Sequence, residues 1–147
     1  MEEKKKKIFD PQKVSIFDIK VESNLQILQP FELGKTEMVV GFATSVAHNI
    51  EANNLKINLD IQLQRDDETS DIAEFSFEFY FKVFNLKDFC EIKEEEFFLS
   101  TQVAVPLVGV AISTARGIIF ERLHDTKWKN VFIPIVSPKN ILEQSSN

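Results

Sequence analysis

The run Glu74-Phe75-Ser76-Phe77-Glu78-Phe79-Tyr80-Phe81-Lys82-Val83-Phe84 constrains the fold more than any other stretch of the chain. Phe75, Phe77, Phe79, Phe81 and Val83 fall on one parity, and Glu74, Ser76, Glu78, Tyr80 and Lys82 on the other. Successive side chains of an extended strand point to opposite faces, so the run reads as a strand with one strongly apolar face. Four Phe in a row on that face need a cover, supplied either by the chain itself or by a partner.

Three further strands are expected before it. Val14–Val21 places Ser15, Phe17, Ile19 and Val21 on one side and Ile16, Asp18 and Lys20 on the other. Asn24–Lys35, with Pro30 and Gly34, reads as an irregular connection. Thr36–Ala47 sets Met38, Val40, Phe42, Thr44 and Val46 against the small residues Gly41, Ala43, Ser45 and Ala47. The third strand alternates most cleanly: Leu55, Ile57, Leu59, Ile61 and Leu63 inward, Lys56, Asn58, Asp60, Gln62 and Gln64 outward. Four such strands joined by polar links predict an antiparallel sheet with one apolar face.

The pattern then changes. Glu94-Glu95-Glu96 would suit the start of a helix, and the apolar residues between Phe97 and Leu123 recur at helical spacing. Pro106 is expected to break this stretch into a short helix and a longer one over Leu107–Leu123. Gly109, Ser113 and Gly117 stand four apart and form a stripe of small side chains. Such a stripe suits either a helix lying flat on the sheet or a symmetric contact between subunits. The apolar segment Val131–Leu142, which carries Pro134 and Pro138, is expected to run extended along the core.

At 147 residues the chain is expected to form one domain with flexible ends at residues 1–12 and 143–147. A net charge of −6 argues against a nucleic-acid partner, and Lys4–Lys7 reads as a solvated tail. The lone Cys90 suits a reducing compartment, and no apolar stretch follows the N-terminal charges as a signal peptide requires. Phe97–Ala115 carries no charge but is broken by polar residues and Pro106, which favours a helix buried in protein over membrane insertion. A cytoplasmic location is expected.

Catalytic signals are sparse. His48 and His124 have no metal-ligand partner at a recognisable spacing, so no metal or cofactor is expected. The acidic loop Arg65–Asp71 lacks the glycine and bidentate glutamate of a calcium loop. The four Gly are scattered, leaving no phosphate-cradling loop, and no nucleophile has a base at a motif spacing.

Several residues in the last third carry a family resemblance: Pro106, then Ala115-Arg116-Gly117-Ile118-Ile119, Phe132-Ile133-Pro134 and Pro138-Lys139-Asn140. In type and spacing they are similar to the SecB family of export chaperones, whose long helix holds an Ala-Arg pair followed by a Phe-Pro segment and a Pro-x-Asn turn. The chain departs from that pattern at Gly117, where the family usually has an acidic residue, and in lacking an acidic C-terminal extension. The resemblance, spanning Val14 to Leu142, implies an α+β fold: a four-stranded antiparallel sheet followed by a broken long helix. It also implies a homotetramer built as a dimer of dimers. Such proteins hold unfolded polypeptides in aromatic-lined grooves and, in exporting bacteria, pass them to the translocase ATPase through an acidic sheet face. SecB-like proteins also act as chaperones dedicated to an antitoxin.

The resemblance makes Phe42, Phe77, Phe79, Phe81, Phe84, Phe97 and Phe98 the candidates for peptide binding, although each also fits plain core. Phe97 and Phe98, beside the acidic run, are the best placed for a groove mouth. Glu74 and Glu78 are the candidates for partner docking, and Gly109, Ser113 and Gly117 for the oligomer contact. The expected activity is that of an ATP-independent holdase rather than an enzyme. The alternatives are a chaperone dedicated to one client such as an antitoxin, and a small ligand-binding or enzymatic α+β domain.

Overall fold

The computed structural model describes residues 8–26, 38–65, 72–124 and 133–145. The Lys4–Lys7 run, Pro30 and Gly34 of the first connection, the acidic residues Asp66–Asp71, Trp128 and Phe132 lie outside the described residues.

The expected antiparallel sheet forms from β1 (Val14–Gln26), β2 (Met38–Asn49), β3 (Asn54–Arg65) and β4 (Ile72–Val83). Its order is β1-β4-β3-β2, so β2, β3 and β4 follow one another across the sheet while β1 lies at the far edge beside β4. Asn53 closes the β2–β3 turn at a φ of 56°, a left-handed conformation that asparagine tolerates better than most residues. Its N–H donates to the Ile50 carbonyl at 3.0 Å, and the Ala52 N–H donates to Asn49 Oδ1 at 3.2 Å.

The apolar parities of β3 and β4 meet as expected. Leu55 to Leu63 on one strand and Phe75 to Val83 on the other are at most 1% exposed at each inward position. Phe75, Phe77 and Phe79 stack along β4 with successive ring centroids 6.4 and 5.7 Å apart. The cover is supplied by the chain itself. Helix α1 (Thr101–Leu123) buries Val103, Leu107, Val108, Ala111, Ile112, Ala115, Ile119 and Leu123 within the same core, a stripe recurring every three or four residues. Each large side chain so buried is worth about 1.5–3 kcal/mol.

Five expectations change. First, α1 is unbroken, with Pro106 inside it. The proline stands in the second turn, where it removes the intrahelical donor to the Gln102 carbonyl and its ring crowds that carbonyl, a cost the helix bears because its buried stripe is packed on the sheet. Second, the acidic cluster does not start the helix. Glu94 and Glu95, at φ values of 51° and 69°, are the two-residue turn between β5 (Cys90–Lys93) and β6 (Glu96–Leu99). Positive φ at both turn residues matches the twist of a tight hairpin. Phe97 and Phe98 therefore lie on a strand, and Ser100 caps α1 by accepting the Gln102 N–H at 3.2 Å.

Third, among the described residues the final apolar segment has no regular structure over residues 133–137 and then forms α2 (Pro138–Ser145). Proline suits a first helical position, where its missing N–H has no intrahelical acceptor. Fourth, regular structure and core contacts reach into parts of the stretches expected to be flexible. Phe9 meets Phe89 edge-on at 6.4 Å, Pro11–Lys13 forms a short 3₁₀ turn, and α2 runs on through residues 143–145. Fifth, the register of β1 slips: Ile16 pairs with Phe81 and Asp18 with Tyr80, leaving Phe17 as an extra residue in a bulge. Below the bulge, inward residues switch parity from Ile19 to Ile16 and Val14.

Candidate functional site

Helix α1 covers the centre of the inner sheet face, over β3 and β4, and leaves a partly covered apolar margin on either side. The β1 margin is a groove of about 360 Å³ between Val14 and Ile16 on one wall and Pro106, Leu107 and Val110 of α1 on the other. Phe9 closes one side of it and Phe81 contributes to its floor. No titratable side chain lines it. It continues onto the outward face of α1, where Val110, Ser113, Gly117 and Phe120 are exposed. Farther along, Arg122 Nη1 donates to Ser23 Oγ of β1 at 3.2 Å and fixes the helix against the strand.

The β2 margin is more aromatic. Val40, Phe42 and Val46 are half-buried against the core, and α2 packs against both β2 and α1. The hairpin β5–β6 joins this margin through Phe97, whose ring stacks on His48 with centroids 3.6 Å apart and planes 17° from parallel. Phe98 points to the other hairpin face and is 49% exposed, while Ile92, opposite Phe97, is 62% exposed. Beside Phe98 lies a depression of about 380 Å³ that includes Phe89, Cys90 and Leu99. Burial pushes the Cys90 thiol above its ordinary pKa, so it is poorly prepared to act as a nucleophile.

The seven candidate Phe therefore divide. Phe77, Phe79 and Phe81 are core, each at most 1% exposed under α1, so they are withdrawn as residues that contact a client directly. Phe42 and Phe97 both border the β2 margin, Phe97 at the His48 end and Phe42 six residues farther along the strand, whereas Phe98 is exposed on the other face of the hairpin. Phe84, 61% exposed, stands apart beyond the end of β4, with Lys82 Nζ 5.7 Å above its ring. The sequence reading missed the β1-side groove and the His48–Phe97 stack. Both arise from contacts between segments distant in sequence, which no local spacing records.

The small-residue stripe also divides. A methyl group added to Gly109 would lie 3.4 Å from Pro138 Cγ, so this glycine admits the start of α2 and serves contact within the chain. Ser113 and Gly117 are exposed, and a Cβ at Gly117 would meet nothing within 4 Å. Arg116, next to the buried Ala115, donates from Nε to the Ile133 carbonyl at 3.2 Å and so holds the segment leading into α2.

Glu74 and Glu78 lie on the outer sheet face, but they do not share a uniformly acidic surface. Tyr80 Oη donates to Glu78 Oε2 at 2.6 Å, and Lys56 Nζ lies 3.9 Å from Glu78 Oε1. The tyrosine hydrogen bond, then Lys56 and Lys20, hold the Glu78 carboxyl below its ordinary pKa. Among the described residues, no three His, Cys, Asp or Glu side chains come together as a metal-ligand group.

The sequence matches no protein-family model and no curated protein. Among solved structures it is similar to the SecB-like chaperone Rv1957 of Mycobacterium tuberculosis, solved in complex with a ChAD peptide from the Rv1956 HigA1 antitoxin. The TM-score is 0.63 and the identity 14%, with 85% of this chain and 92% of that chain covered. The sheet, the long helix and their order agree, and this chain therefore has the fold of the SecB-like chaperones.

Proposed function

We propose that this protein is an ATP-independent holdase that binds unfolded polypeptide along its β2 margin, through Phe42 and Phe97, and across the adjoining β5–β6 hairpin, through Phe98. The observation that carries the reading is the aromatic surface that the chain's own helices leave partly uncovered there. A few apolar side chains of a client, each worth about 1.5–3 kcal/mol on burial, give modest affinity without demanding one sequence. Several copies of the margin in one assembly raise the overall affinity through effective concentration. The β1 margin and the exposed stripe Val110, Ser113, Gly117 and Phe120 are continuous, and we assign them to the contact between subunits in a dimer of dimers. A lone cysteine suits a reducing compartment, and the cytoplasm is the proposed location.

Between the two roles of such chaperones, dedication to one client is the better supported. The neighbouring structure is bound to an antitoxin peptide. Delivery to a translocase ATPase through an acidic face has weaker support, because Lys20, Lys56 and Lys82 stand among the outer carboxylates.

The test is whether the purified protein arrests refolding of an unrelated, slow-folding substrate, and whether Phe97→Ala with Phe98→Ala abolishes the arrest. Arrest of one client class only would assign a dedicated role. A double variant that remains folded and still arrests refolding would remove the β2 margin from the account.

A further inference from the structure

The outer sheet face carries aromatic surface that neither the core nor the client margin uses. Strict alternation in β1 would turn Phe17 inward with Ile19 and Val21. The bulge between Ile16 and Asp18 turns it outward instead, where it is 54% exposed and meets Tyr80 with ring centroids 5.9 Å apart. Bulges re-aim side chains at the cost of local pairing. This one presents a phenylalanine to solvent on the face where an antiparallel sheet is normally polar.

Beside the pair lies a cleft of about 240 Å³, between Phe17 and Tyr80 on one side and Ala47 on the other, large enough for one apolar side chain. Lys56 also borders it. Lys20 Nζ lies 5.3 Å from the centre of the Tyr80 ring, and Lys82 projects from the same end of the face. The carboxylates among these cations are Asp18, paired across from Tyr80, and Glu78, already engaged by Tyr80 and Lys56. Lys20, Lys56 and Lys82 thus exceed Asp18 and Glu78 by one charge, on a chain whose net charge is −6. The acidic residues Glu22, Asp60 and Glu74 lie toward the other end of the sheet.

We propose that this end of the outer face, centred on Phe17 and Tyr80, is a second docking site that takes an acidic segment of a partner protein, anchored by one aromatic or leucine side chain. Its aromatic anchors are not those of the client margin, although His48, which stacks on Phe97, also borders the cleft. A dye-labelled acidic peptide, Glu-Glu-Leu-Phe-Glu-Glu, can be compared by fluorescence anisotropy with its Lys-for-Glu counterpart and with a single-stranded oligouridylate.

The acidic peptide should bind at least about tenfold more tightly than the basic one. Phe17→Ser should weaken it about tenfold. Lys20→Glu with Lys82→Glu should weaken it further, whereas Phe98→Ala should leave it unchanged. The exposed position of Phe17 makes a folded Phe17→Ser protein expected, and an unchanged urea midpoint would verify this. Absence of binding by the acidic peptide would overturn the proposal. So would equal or tighter binding of the basic peptide or the oligonucleotide, or acidic-peptide binding that a folded Phe17→Ser protein retains in full.

Discussion

The division of the phenylalanines makes a prediction that separates stability from binding. Phe79 is 0% exposed, stacks on Phe77 at 5.7 Å, and lies across from Ile19 and Ile57 in the neighbouring strands. Phe79→Leu removes ring contacts that the packed neighbours only partly recover, at a cost of about 1.5 kcal/mol. With a urea m-value of about 2 kcal/mol/M, the unfolding midpoint should fall by roughly 0.7 M with m unchanged. Phe98, 49% exposed on its hairpin, has little packing to lose. Phe98→Ala should move the midpoint by less than about 0.3 M. Client capture should respond in the opposite way: nearly intact in Phe79→Leu and reduced in Phe98→Ala. Urea unfolding followed by fluorescence, beside a refolding-arrest assay on the same samples, reads both quantities. Equal midpoint losses in the two variants, or lost capture in a stable Phe79→Leu protein, would refute this division.

Three other outcomes follow from local geometry. Replacing Glu94-Glu95 by Asn-Gly suits the positive φ values of the hairpin turn and should stabilise the protein by about 1 kcal/mol, raising Tm by about 3 °C in a calorimetric scan. Gly109→Val would press against Pro138 and should destabilise by about 1–3 kcal/mol in urea, whereas Gly117→Val meets open space and should spare the packing of the subunit while weakening any contact between subunits, read by sedimentation. Because its folded pKa is lowered, Glu78 favours the folded state above the ordinary carboxylate range, and that contribution disappears as pH falls through the lowered value. Tyr80→Phe should return the Glu78 titration, followed by NMR, toward that of an ordinary glutamate, and an unchanged titration would contradict the role given to the hydrogen bond.

The centre of the fold was legible because β3 and β4 are buried on one face only, which imposes a period of two on the sequence. The helix was legible by its own period over Leu107–Leu123, whereas its first turns, before Pro106, were read as a separate short helix. Other features were hidden for identifiable reasons. Phe97 and Phe98 precede α1 without a break in apolar character, so periodicity alone could not divide strand from helix. Glutamates seldom occupy positive φ, so Glu94 and Glu95 gave no turn signal. The bulge at Phe17 changes parity without any glycine or proline to mark it. The candidate site suffered most, because alternation reports which Phe share a face but says nothing of which ones α1 then covers.

The central claim is that a client lies along the β2 margin and the adjoining β5–β6 hairpin and leaves the exposed stripe of α1 to subunit contact. Its most direct test is site-specific photo-crosslinking, with a photoreactive phenylalanine analogue placed singly at Phe98, Val110 or Phe120 and an unfolded client present. The account predicts cross-links to the client from position 98 and subunit-to-subunit cross-links from positions 110 and 120. Client cross-links confined to positions 110 and 120, with none from 98, would contradict it.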